Sequence, residues 1–403
     1  MGHAAQFDRG GHGGGTAMSF EVKGWCPGAL RPMASGDGLV VRVRLPLGMM
    51  TPAQARGLAD AAQRYGNGQM EVSNRGNLQL RGVSDDSHRP LLADLAALGV
   101  LDADLALESR RNILISPLWQ SGDGTVDLAQ ALQARLMDLP DLPGKFGHVI
   151  DIGLHRVLAE APGDIRVERG LSGGLILRAD GADLGQPVSA DGAISALIDL
   201  AEWFVASGGV AMGRGRMRAL VARLGPPPLA RELPVAAAPR PAPGQTAQGL
   251  LAGFEFGSFA AQTLLALSHL GRPLRMTPWR MLLIGGLSDP LALADVPGLI
   301  TDPDDPLLAV RACPGAPFCP QALAPTRDLA RALAPMVCAG QIVHVSGCAK
   351  GCAHPLAADV TFVAGPGGFA TGLACAAPDV FGPARSAQAI LHEPTLFAQS
   401  GAV

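Results

Sequence analysis

Four cysteines fall in two tight pairs, Cys313-Pro-Gly-Ala-Pro-Phe-Cys319 and Cys348-Ala-Lys-Gly-Cys352. The spacings are C-x5-C and C-x3-C, with 28 residues between the pairs. A [4Fe–4S] cluster takes four thiolates, one for each iron. Pro314, Pro317, Pro320, Gly315, Gly347 and Gly351 keep both loops out of regular structure. Backbone amides in such loops can turn toward sulfur and offset its charge. A structural zinc ion competes for the same thiols, although zinc pairs usually span shorter loops, C-x2-4-C. Four unrelated buried cysteines are the third option. The spacing favours a cluster on Cys313, Cys319, Cys348 and Cys352. Cys338 and Cys375 sit in apolar runs and read as small core residues. Cys26, in GWCPGALRP, reads as a structural thiol, with a metal or substrate contact as the other option.

A second constellation is basic. Arg42, Arg44, Arg75, Arg81, Arg110, Arg111 and Lys145 fall at predicted strand ends or in adjoining loops, and Lys350 lies inside the second cysteine pair. Solvated surface charge is the default for any one of them. Arg75 differs because SNRGN puts it in a turn between two strands. Arg111 opens an apolar strand, and Lys145 opens FGHVIDIG. Charges at the mouths of three buried strands converge on one edge of the core, where burial demands anionic partners. Arginine pairs bidentately with carboxylates, and lysine acts as a point charge. A polycarboxylate ligand near the cluster satisfies both.

The elements that must position these groups repeat. A strand at 39–48 (LVVRVRLPLG) precedes a helix starting at Thr51-Pro52, a good N-cap followed by a good first helical residue. Ala55, Leu58, Ala59 and Ala62 mark its buried face. The order recurs in LAGFEFGSF (252–259), AAQTLLALSHLG and LRMTPWRMLLIGG. Arg75 and Arg280 match at an offset of 205, and Arg111 and Cys313 at 202, which indicates an internal duplication of α+β type. A cleft between two related halves suits a large ligand. GPGGFATG (365–372) reads as a hairpin turn and not a nucleotide loop.

The Pro/Ala stretch 225–245 cannot continue a helix or central strand and reads as a linker. The expected domains are a flexible Gly-rich tail at 1–23, half-domains at 24–100 and 246–305, and larger domains at 101–224 and 306–403. His3 and His12 in the tail are weak metal candidates. The chain has 403 residues, 48% of them apolar, enough for a large core. A net charge of -3 and 4% aromatics argue against a nucleic-acid partner. No run of about 18 apolar residues predicts a membrane span, and no leader peptide is visible, so a cytoplasmic location is expected.

The chain resembles the sulfite/nitrite reductase family. The stretches that carry the resemblance are CPGALRPMASGDGLVVRVR (26–44), EVSNRGNLQLRG (71–82), ACPGAPFCPQAL (312–323) and HVSGCAKGCAHP (344–355), and it extends over nearly everything from Gly24 onward. It implies two ferredoxin-like half-domains plus two α/β cluster- and tetrapyrrole-binding domains related by pseudo-twofold symmetry. It makes the four paired cysteines the cluster ligands, with Cys352 nearest the chemistry. Arg75, Arg111 and Lys145 match residues that contact substrate or tetrapyrrole carboxylates. Arg42, Arg44, Arg81 and Lys350 are added as substrate contacts. The third position of the family's K-F-x motif is Gly147 here, where the reductases carry a cation or an amide. That departure points to the branch in which the tetrapyrrole is the substrate. The implied reaction is hydroxylation of precorrin-3A at C20 by O2, with closure of a γ-lactone, in aerobic cobalamin biosynthesis. It calls for an electron donor, either an NADH-linked reductase or a ferredoxin-like protein. It also implies a mononuclear non-haem iron, for which His148, His155, His344 and His354 are the candidate ligands. A sirohaem sulfite or nitrite reductase, and a non-catalytic tetrapyrrole-binding or electron-carrier protein, stay open as alternatives.

Overall fold

The computed structural model describes residues 26–393 and 395–398; the Gly-rich stretch 1–23, with His3 and His12, lies outside the described residues. The chain forms two compact units. The larger comprises Gly38–Pro303 and the described part of Gly24–Ala34. The smaller comprises Ser35–Asp37 and the described part of Asp304–Val403.

The chain opens with β1 (Met33–Ser35), β2 (Gly38–Val43), β3 (Met49–Met50), α1 (Pro52–Tyr65), β4 (Gln69–Val72), β5 (Leu78–Val83) and α2 (Asp85–Ala97). Next come α3 (Leu105–Arg110), β6 (Ile113–Ile115), α4 (Thr125–Ala134), β7 (His148–Asp151), β8 (Ile165–Arg169), β9 (Leu175–Ala179), β10 (Gln186–Val188), α5 (Ala193–Ala206) and α6 (Met217–Leu224). The repeat follows as β11 (Gly244–Thr246), β12 (Gly249–Gly253), β13 (Ser258–Ala260), α7 (Ala261–His269), β14 (Leu274–Met276) and β15 (Met281–Gly285). The smaller unit holds β16 (Val310–Ala312), α8 (Arg327–Leu333), β17 (Val343–Ser346), β18 (Ala358–Gly365), β19 (Gly368–Cys375) and α9 (Ala387–Leu391).

Local sequence accounts for much of this. Thr51 and Gln54 close a reciprocal capping box on α1 with Pro52 in its first turn, and Ala55, Leu58, Ala59 and Ala62 are buried as the pattern requires. The β18–β19 hairpin turns at Gly365–Gly368, where Gly367 has φ 84°. That matches the turn expected in GPGGFATG.

The duplication is visible in the sheets. One has the order β1-β2-β5-β4-β13, the other β11-β12-β15-β14-β3. Each half-repeat therefore lends one short strand to the other. Phe259 pairs with Met70, and Leu274 with Met50. The turn before each lent strand holds a bulky residue in the left-handed region, Leu47 (φ 53°) in one and Phe256 (φ 55°) in the other. Leu58, Leu80, Ala252, Leu282 and Ile284 belong to a single apolar core, so the two half-repeats are fused.

The offsets read from sequence are corrected by the structure. Ser73 Oγ accepts the Arg75 N–H, and Thr277 Oγ1 accepts the Trp279 N–H, so these hydroxyls set equivalent turns. Arg75 thus corresponds to Trp279, and Arg280 (φ 64°) to Gly76 (φ 63°). Likewise β6 and β16 are equivalent edge strands, 113 matching 310. Cys313 follows β16 as Ser116 follows β6, so Arg111 is not its counterpart. Loop deletions shift the register, and a constant offset does not survive them.

The third sheet of the larger unit, β10-β9-β8-β7-β6, is parallel through β6, β7 and β8. Leu128, Leu132, Ile194 and Leu197 of α4 and α5 pack with its Ile150, Val167 and Leu177. The sheet of the smaller unit repeats the plan as β16-β17-β18-β19. The Pro/Ala stretch connects, but not loosely. Arg156 Nε donates to Val235 O, Val235 N–H to Arg169 O and Gly185 N–H to Glu232 O, which straps it along the third sheet. No helix among the described residues is long and apolar enough to cross a membrane.

Candidate functional site

In the smaller unit, Cys313 follows β16 and Cys348 follows β17, two parallel neighbours whose ends carry the two cysteine loops. The Gly347 N–H donates to Cys313 Sγ at 3.2 Å, and the Lys350 N–H hydrogen bonds the Cys348 sulfur. Thr326 Oγ1 donates to Cys313 O and Ser346 Oγ to Cys348 O, which fix both loop entries. The first loop contains a cis Ala316–Pro317 bond. Ser35 Oγ and the Gly36 N–H both donate to Phe318 O. Burial pushes the Cys348 thiol up, Cys313 and Cys319 add to that, and Lys350 opposes. Cys352 is exposed as a residue, yet protein atoms crowd its thiol and push it up to about 11. Lys350 again opposes, and Cys348, Cys313 and Cys319 raise it further. Four thiols that feel one another's charge, with backbone N–H groups turned to two of them, are chemically suited to a cluster that presents one iron to each sulfur. Lys350 lies beside these thiols.

The larger unit gathers arginines. Arg44, Arg75 and Arg111 line one cavity together with Asn77, Gly76 and Met276. Arg44 also lines a neighbouring cavity of about 380 Å³ with Cys26, Arg31, Glu108 and Ser109. Arg44 is 6% exposed, and its Nε and Nη1 have no hydrogen-bond partner. Its nearest carboxylate, Glu108, is 3.9 Å away. Glu108 Oε1 is already engaged by the Ala29 and Leu30 N–H groups at 2.6 and 3.1 Å, which moor the CPGALRP loop. Arg111 is differently placed. Nε and Nη2 grip Asp102 at 2.6 and 2.9 Å, and Nη2 also donates to Arg44 O at 2.7 Å. It caps the C-terminus of α3 and does not open a strand, because β6 begins two residues later.

Arg75 donates from Nη2 to Lys145 O at 2.9 Å. Arg42 reaches Gln79 Oε1 through Nε and Nη2, at 3.1 and 2.6 Å, and hydrogen bonds Cys26. Gln79 in turn donates to Glu71, which pairs with Arg81 at 3.5 Å. Arg81 is thus matched by a carboxylate across the first sheet. Burial pushes the Arg42, Arg44 and Arg75 guanidinium groups below their usual range, and like charge on neighbouring arginines adds to this. Lys145 approaches Arg75 through its main chain.

The histidines scatter. His148, at the start of β7, is buried, has a partnerless Nδ1, and is pushed down to about 4 by burial. His155 is exposed. His344 and His354 form an edge contact at 5.8 Å in the smaller unit. Among the described residues, no group of three His, Cys, Asp or Glu side chains is arranged around one metal ion. The sequence reading missed Asp102 and Glu108. Their only signal is a run of carboxylates just ahead of the arginine pair in LDADLALESRR.

Residues 31–98 match the nitrite/sulfite reductase ferredoxin-like half domain. A precorrin-3B synthase from Sinorhizobium sp. is 33% identical over 394 residues, covering 88% of this chain and 83% of that protein. The chain belongs to the precorrin-3B synthase family. A ferredoxin–nitrite reductase from Synechococcus elongatus is 32% identical over only 135 residues, covering 30% of this chain and 26% of that one. The NirA protein of Mycobacterium tuberculosis has the same fold, with a TM-score of 0.62 at 19% identity, covering 89% of this chain and 84% of that one. The duplicated sulfite/nitrite reductase-like α+β fold anticipated from the motifs is therefore shown, and within it the precorrin-3B synthase family is the nearer kin than the reductases.

Proposed function

We propose that the chain carries out the precorrin-3B synthase reaction: hydroxylation of precorrin-3A at C20 with closure of a γ-lactone. One atom of O2 enters the substrate. The other leaves as water, with two electrons from a donor such as an NADH-linked reductase or a ferredoxin-like protein. Kinship along most of both chains carries this reading. Cys313, Cys319, Cys348 and Cys352 would hold a [4Fe–4S] cluster, which supplies one-electron transfer when bound.

The arginines do the binding. Arg44 offers two buried donors that no protein group satisfies, and a substrate carboxylate is the acceptor they lack. Arg75, in the same cavity, takes a second carboxylate. Arg111 serves by gripping Asp102 and Arg44 O, which keeps the Arg44 backbone in place. Arg42 and Arg81, joined through Gln79 and Glu71, stiffen the wall behind it. Lys145 adds positive charge there, and Lys350 supplies charge beside the thiols of the smaller unit. The reading implies a cytoplasmic biosynthetic enzyme.

Incubating the reduced, cluster-loaded protein with precorrin-3A and O2 tests the reading. The expected product is heavier by one oxygen atom and carries the lactone. No product with the cluster intact would sink it. An intense Soret band in the purified protein would favour a sirohaem reductase instead.

A further inference from the structure

Gly147 is a glycine for reasons of space. Its φ lies outside the left-handed region, so the backbone there would accept any L residue. Its surroundings leave little room. A Cβ at 147 would sit 3.0 Å from Arg75 Nη1 and 3.4 Å from Asn112 O. The main chain cannot retreat to make room. The Gly147 N–H donates to Asp164 Oδ2 at 3.0 Å, and Gly147 O accepts from the Asp164 N–H at 2.7 Å and the Ile165 N–H at 3.3 Å. Asp164 is fully buried and is itself held, since its Oδ1 accepts from Arg216 Nε and the Met217 N–H, both at 2.9 Å. The group that can yield is the far end of Arg75, a flexible side chain tied to the 145–147 segment by one bond, Nη2 to Lys145 O at 2.9 Å.

We infer that Gly147 is a positioning residue: it leaves open the place in which the Arg75 guanidinium lies, and so sets the direction from which the arginine cavity takes a carboxylate. The functional half of this inference rests on the tetrapyrrole-carboxylate reading. Arg75 lines that cavity beside Arg44, Asn77 and Arg111. With a side chain at 147, Arg75 Nη1 must give way by a few tenths of an ångström, which strains the Nη2 bond to Lys145 O and turns the guanidinium against the ligand. A bidentate arginine–carboxylate contact tolerates little misalignment. The fold, by contrast, loses only a hydrogen bond at the edge of a cavity.

The test is a double-mutant cycle in the full-length, cluster-loaded protein: Gly147→Ala, Arg75→Ala and the pair. Three quantities are measured: the melting temperature, the rate at which phenylglyoxal labels Arg75 without ligand, and the dissociation constant for uroporphyrin III, a stable tetrapyrrole polycarboxylate. Gly147→Ala is expected to leave melting unchanged, to label Arg75 severalfold faster, and to weaken uroporphyrin binding about tenfold, the worth of one charged hydrogen bond. In the Arg75→Ala background the same change should do nothing further. Equal losses in both backgrounds, or labelling at the wild-type rate, overturn the inference. Should Gly147→Ala melt early, relief by Arg75→Ala supports it and no relief counts against it. If the wild-type protein ignores uroporphyrin III, the tetrapyrrole reading fails, while the labelling comparison still decides the role of Gly147.

Discussion

The two copies of the repeat put opposite chemistry on equivalent strand ends. Beyond β6 the chain reaches Ser116, whose N–H donates to Ile150 O on β7. Beyond β16 it reaches Cys313, whose N–H donates to Val345 O on β17. The parallel pairs match in register, Ile113 with His148 and Val310 with Val343. Around the first lie arginines, and around the second lie thiols. The two copies share a backbone plan and differ in the side chains on the loops that leave their parallel strands. Loops of this kind can change side chains without disturbing the core that aims them.

The comparison breaks most visibly on the thiol side. Cys352→Ser should remove cluster iron and turnover together, measured by iron and sulfide content and by product formation. Full turnover without the cluster would make the second copy a scaffold. On the arginine side the largest effect belongs to Arg111. Arg111→Ala strands a buried Asp102 and frees Arg44 O, so urea unfolding should show a loss of about 3–5 kcal/mol. Arg44→Ala should do the reverse. Its buried donors lack hydrogen-bond partners and its ion pair with Glu108 is long, so stability falls less than for Arg111→Ala, while calorimetric affinity for a tetrapyrrole polycarboxylate falls by about 1.5–3 kcal/mol. An unstable Arg44→Ala protein that still binds would erase the distinction between a structural and a binding arginine.

The smallest effect is on acid stability. His148 titrates near 4 in the fold against 6.5 for the free side chain. The unfolded chain therefore holds more protons between those values, and stability falls as pH drops from about 6.5 to 4. Replacing His148 by Leu should flatten that slope by about 1–2 kcal/mol, read from unfolding at pH 7 and pH 4.5. In the cysteine copy the equivalent place is taken by Val343, which has no proton to exchange.

Much of this was legible in the sequence because the signals are local. The α1 cap, its apolar face, the β18–β19 turn and the Arg75 turn are each set within a few residues. Other features depend on residues far apart in the chain. Arg111 looked like a cavity charge because its partner, Asp102, precedes it by nine positions with no periodic link. The repeat register slipped because hydroxyls, and not arginines, define the matching turns. The linker was legible from its prolines, which prevent helices and central strands, but the carbonyls and amides that strap it along the third sheet lie far away in the chain.

The lent strands have a consequence for assembly. Met49–Met50 and Ser258–Ala260 each complete a sheet whose other strands lie about two hundred positions away. A half-length polypeptide of this design would leave one sheet edge bare, and could cover it only by pairing with a second copy about a twofold axis. In the fused chain that pairing is a loop closure of long reach, so neither half-repeat is finished until both have been synthesised. Formation of the native sheets should therefore be slow for the size of the chain.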